Sequence, residues 1–103
     1  MSWHLLTRPE VPSDINQGAQ WYDEREPGTR LRAEFAREVW QTIDRLRTDA
    51  LLYRVRDAKL QVRWVIPPRF PYRIIYAIKG DTVVILAVIH TAKRDREWKR
   101  RVR

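Results

Sequence analysis

The stretch that most constrains this chain is Thr82 to His90, a run of β-branched and aliphatic residues broken only by small ones. Its apolar part, Val83 to Ile89, is far shorter than the roughly 20 residues a membrane-spanning helix needs. Branching at Cβ disfavours a helix there and suits a pleated strand. An all-apolar strand must be covered on both faces, so the run predicts an interior strand of a buried sheet. Just before it, Tyr72-Arg73-Ile74-Ile75-Tyr76-Ala77-Ile78 has the same character, and Lys79-Gly80-Asp81 reads as a hairpin turn. Further upstream, Leu60, Val62, Trp64 and Ile66 alternate with Gln61, Arg63 and Val65, a period of two that predicts a strand with one wet face. Pro67-Pro68 stiffens the reversal between that strand and the next.

The first half of the chain has a different period. Trp3 to Leu6 is a short strand-like opening, closed by Arg8-Pro9-Glu10-Val11-Pro12. Ser13 then reads as an N-cap, with Asp14 complementing the positive helix end and Ile15, Ala19 and Tyr22 forming a stripe that Pro27-Gly28 stops. Leu31, Phe35, Val39, Ile43 and Leu46 draw the stripe of a second, clearer helix. The short connection folds the two back as an antiparallel hairpin whose apolar sides must share one partner. The expected fold class is α+β: a short N-terminal strand, an antiparallel helical hairpin packed on a small antiparallel sheet (strand-helix-helix-strand-strand-strand), and a basic C-terminal extension that forms at most a short helix. Trp21 and Tyr22 are assigned to helix–sheet packing. Residues 50–59 link the layers, with Leu51, Leu52 and Tyr53 tucked under the sheet edge.

At 103 residues the chain is expected to form one domain, 1–103. Without cysteine it has no disulfides, no thiolate nucleophile and no cysteine–zinc site, and two histidines make a structural metal site improbable. Three glycines leave no Gly-rich phosphate loop, and neither a nucleophile elbow nor a paired-carboxylate signature is found. No cofactor, no metal and no membrane partner are expected, and the N-terminus lacks a secretory apolar stretch, which points to the cytoplasm. The net charge of +8 is placed unevenly: Lys+Arg and Asp+Glu balance over residues 1–62, while residues 91–103 alone carry +5. Such asymmetry marks a surface that faces a polyanion.

Trp21-Tyr22, the Pro27-Gly28 break, Phe70-Pro71-Tyr72-Arg73-Ile74-Ile75-Tyr76, and Leu86-Ala87-Val88-Ile89-His90 running into basic residues and Trp98 together resemble the RelE/ParE superfamily of toxins, over about residues 13–100. The resemblance implies a growth-inhibiting toxin of the plasmid-stabilisation type, held inactive by a cognate antitoxin. It implies ribosome-bound mRNA as the target in the RelE branch and DNA gyrase in the ParE branch.

The nuclease branch requires a base, an acid and cations on the scissile phosphate. Arg73 matches the phosphate-contacting arginine of the RelE motif, and His90 is the second catalytic candidate. Ala92 stands where those nucleases have an essential arginine, and Trp98 where they have a tyrosine. The incomplete set places the chain closer to the ParE branch, a non-catalytic inhibitor of gyrase, with a ribosome-dependent mRNA endoribonuclease as the alternative. A non-toxic basic nucleic-acid-binding module is the second alternative. The residues expected to meet the target are Arg63, Arg73, His90, Lys93, Arg94, Trp98, Lys99 and Arg100. Trp98 is also expected to pin the basic tail on the sheet. An acidic, amphipathic antitoxin segment is expected to dock along the outer edge of the second helix and the region from Arg63 to Arg73.

Overall fold

The structure, a computed structural model, describes residues 2–102; Arg103 of the basic C-terminal stretch lies outside them. The elements are β1 (His4–Thr7), α1 (Glu10–Arg25), α2 (Leu31–Asp49), β2 (Val55–Asp57), β3 (Val62–Val65), β4 (Tyr72–Lys79), β5 (Thr82–His90) and α3 (Arg96–Lys99), followed by a single 3₁₀ turn at Arg100–Val102. The strands form one sheet in the order β1-β5-β4-β3-β2. The meander β3-β4-β5 is antiparallel as its sequence implies. Two further strands enlarge it: β1 runs parallel to β5, opposite Thr82–Ile85, and β2 pairs antiparallel with β3, which makes the sheet mixed and five-stranded.

The hairpin between β4 and β5 has a two-residue loop, Gly80-Asp81, with Gly80 at φ +61° in the position where positive φ matches the twist of the strands. Leu86 is extra in the register, because Tyr76 pairs with Ile85 and Ile75 with Ala87. That bulge puts Leu86 and Ala87 on the same face, so Val83, Ile85 and Val88 face the helices while Leu86, Ala87 and Ile89 face away.

Both sheet faces are covered. On one, Val11, Ile15 and Ala19 of α1 and Phe35, Val39, Ile43 and Leu46 of α2 pack on Ile74, Tyr76, Val83, Ile85 and Val88. On the other, Trp98 of α3, 1% exposed, packs on Val62, Ile75, Ala77, Leu86, Ala87 and Ile89. The chain is thus three layers deep, with its own C-terminal segment as the third. This removes the wet face expected of β3: Val62 lies under the C-terminal layer and Val65 under the helices.

Three local expectations change. Helix α1 starts at Glu10, since Pro12 in a first turn sits where its missing N–H would have no helical partner. Asp14 therefore lies one turn inside the helix and is buried. Leu51 and Leu52 are 64% and 73% exposed. Ala50 beside them is fully buried, its carbonyl accepting a 2.6 Å hydrogen bond from the Tyr76 hydroxyl. Tyr53 does pack against the core. Tyr22 sits in an aromatic cluster with Phe35, Phe70 and Tyr72, but Trp21 is 45% exposed. It stands one residue, about 100° of helix, off the stripe of Ile15, Ala19 and Tyr22.

Candidate functional site

The expected target-facing residues divide between the two sides of the sheet. On β3, Arg63 shares the helix-facing side with Val65; on β4, Arg73 shares the opposite side with Ile75. Arg63 is 8% exposed and donates from Nε to the Tyr53 carbonyl at 3.0 Å. Arg73 is 6% exposed and lies under the C-terminal layer. Its Nη1 donates to Asp95 Oδ1 at 2.8 Å, its Nη2 to the Lys93 carbonyl at 2.7 Å, and its guanidinium carbon lies 4.8 Å from the Trp64 ring centre. Two buried nitrogens, Arg63 Nη1 and Arg73 Nε, have no hydrogen-bond partner among the described residues. Neither arginine has a free face for a partner, which corrects the surface expected between Arg63 and Arg73.

Asp95 organises the start of the tail. It accepts from Arg73 and, at 3.3 Å, from the Trp98 indole N–H, and these two donors hold its carboxyl below the usual aspartate range. Trp98 is enclosed, so its ring holds the tail down, as expected, but offers no stacking surface to a target. Further on, Arg101 reaches back to α1 and pairs bidentately with Asp14 at 2.6 and 3.0 Å. Asp14 also accepts from the Val88 N–H, and Arg101 donates to the Leu86 carbonyl. Strand β1 accompanies β5 only as far as Ile85, and this pair satisfies the edge beyond it.

His90 pairs with Tyr72 across β4 and β5, the two rings edge to face with centroids 5.3 Å apart. It therefore points to the opposite face from Arg73, and the two catalytic candidates do not meet in one centre. The His90 Nδ1 accepts the Ala92 N–H at 3.0 Å, which leaves the proton of the neutral ring on Nε2. Around His90 two adjoining hollows of about 130 and 440 Å³ share Trp21, Tyr72, His90 and Lys93 and form one groove between α1 and the end of β5. Burial raises the Tyr72 hydroxyl above the ordinary tyrosine range, so at neutral pH it is a neutral donor. Lys93, Arg94, Lys99 and Arg100 are exposed, with Arg100 paired to Glu97.

Sequence reading missed Trp21, Tyr72 and Asp14 as parts of this region. For Trp21 the signal was present, since an indole off a well-defined apolar stripe faces solvent. Among the described residues no three His, Asp or Glu side chains converge to hold a metal ion. No helix among them is long and apolar enough to cross a membrane.

A family model for the ParE toxin of the type II toxin–antitoxin system parDE matches residues 7–95. Among solved structures, a chain of the chromosomal ParDE TA system from P. aeruginosa is similar, with a TM-score of 0.72 at 17% identity, covering 86% of this chain and 96% of that one. That likeness shows the shared fold. No curated protein matches the chain.

Proposed function

The chain belongs to the ParE toxin family of type II toxin–antitoxin systems, and on that premise we propose that it is a single toxin domain that arrests growth by binding DNA gyrase in the cytoplasm, and that a cognate antitoxin neutralises it. The observation that carries the choice of target is the state of Arg73. Cutting RNA needs a guanidinium free to meet the phosphate, and here that group is spent on Asp95 and the Lys93 carbonyl beneath the chain's own tail. His90, the other candidate, lies on the far face. A binding toxin needs neither group. It needs an exposed cationic surface, and Lys93, Arg94 and Lys99 supply one at the C-terminal end.

An antitoxin with acidic and apolar residues has a matching surface on the outer face of α2, where Arg37, Trp40 and Arg45 are grouped with Asp44, whose carboxylate is paired to Arg47. With Arg63 and Arg73 buried, charge pairing falls to these exposed residues.

A supercoiling assay with purified gyrase tests the reading. Inhibition is expected at micromolar chain, and it should persist in Arg73→Lys, whose ammonium can still pair with Asp95. Full gyrase activity at a large molar excess of the folded chain would contradict it.

A further inference from the structure

The groove beside His90 belongs neither to the core nor to the ion pairs of the tail. Its walls are a half-exposed indole, Trp21, and the edge-to-face pair Tyr72 and His90, with the Lys93 side chain at its rim. Arg25 lies over the Trp21 ring at 4.8 Å, so a cation on the helix side already engages one face of the indole. An exposed tryptophan in a groove is apolar surface left uncovered by folding, and such surface is a common mark of a binding site.

The charge around the groove narrows the ligand. Of the carboxylates in the groove wall and on the tail, Asp14 is paired to Arg101, Asp95 to Arg73 and Glu97 to Arg100, while Glu24, one helical turn beyond Trp21, accepts from Gln20 and has no cationic partner among the described residues. Lys93, Arg94, Arg96 and Lys99 are exposed with no acidic partner among the described residues. The C-terminal rim of the groove is therefore positive, and the Trp21 indole lines the same groove. An acidic peptide would match the cations and leave the stacking face unused. A nucleobase followed by phosphates matches both.

We propose that the groove between α1 and the end of β5 binds single-stranded nucleic acid, with one unpaired base against Trp21 and its flanking phosphates on Lys93 and the neighbouring basic residues. A base within a duplex is stacked on both faces and cannot present itself to an indole on a groove wall, so the site selects unpaired segments. The proposal goes beyond the gyrase reading and does not depend on it.

Fluorescence anisotropy with labelled ten-nucleotide oligo-dT and oligo-U, at about 50 and 200 mM salt, tests the site without gyrase. Binding should weaken as salt rises. Trp21→Ala should weaken it about fivefold or more, while Trp21→Phe retains most of it. Lys93→Gln should lower the salt dependence by about one counterion. Leu52→Ala, which trims an exposed side chain after α2, should leave it unchanged. Binding of either oligomer with this dependence supports the site, and the tighter one identifies the polymer. Three results would overturn it: neither oligomer binds at low salt, binding is indifferent to Trp21, or a duplex of the same length binds equally well with the same Trp21 dependence.

Discussion

Asp14 and Asp95 show what single residues decide in this chain. Asp14 neutralises Arg101 and caps the Val88 N–H, joining α1, β5 and the tail in one contact. Asp14→Ala leaves a largely buried guanidinium with only the Leu86 carbonyl as acceptor, and the Val88 N–H without a partner. Breaking a fully buried pair costs about 3–5 kcal/mol; since the Arg101 side chain keeps 19% exposure, a loss of about 2–4 kcal/mol is expected in urea unfolding. A change below about 0.5 kcal/mol would show the pair to be incidental. Asp95 has a pH signature. Its carboxyl is held below the usual range by Arg73, so its contribution is complete above the ordinary aspartate pKa and is lost as pH falls through the depressed folded-state value. Asp95→Asn should therefore melt lower than the parent at pH 7, with the gap closing below about pH 4. A gap constant from pH 7 to pH 3 would contradict this. Sequence placed Asp14 on the first helix, but the roles of both residues were hidden, because the partner of Asp14 lies 87 residues away and that of Asp95 lies on β4, 22 residues back.

At the scale of elements, periodicity was reliable wherever a segment is long enough to show a repeat. The stripe of α2, the hairpin at Gly80-Asp81 and the meander were all legible. Shorter segments were not: β2 pairs with its neighbour β3 but is three residues with no pattern of its own, and Leu51 and Leu52 are exposed beside the buried Ala50. The packing of α1 on α2 also hides a constraint at Gly18. A Cβ there would come within 2.6 and 2.7 Å of the Phe35 ring and 3.3 Å of Tyr72. In a solvated helix Gly→Ala stabilises by about 1 kcal/mol. Here the enclosed ring has to shift, and Gly18→Ala is expected to destabilise by about 1–3 kcal/mol. A melting temperature above that of the parent would show that the aromatic cluster yields easily.

At the scale of the molecule, one arrangement explains both the stability and the functional reading. The sheet is closed on one face by the helical hairpin and on the other by the chain's own C-terminal segment, anchored by Trp98 and clamped by Asp14–Arg101 and Arg73–Asp95. That layer occupies the face where a nuclease would need Arg73 free, and it carries the exposed cations outward. The charge asymmetry was legible in the sequence, and so was the anchoring role of Trp98. That the tail buries Arg73 was not, because it follows from three-dimensional closure. The most direct test of the account is growth after induced expression of this chain alone, with DNA supercoiling, DNA damage and bulk translation followed in the same culture. The account predicts arrest with DNA damage while early translation continues; arrest in which translation collapses first, with mRNA cut, would contradict it, as would unimpeded growth with the folded chain present.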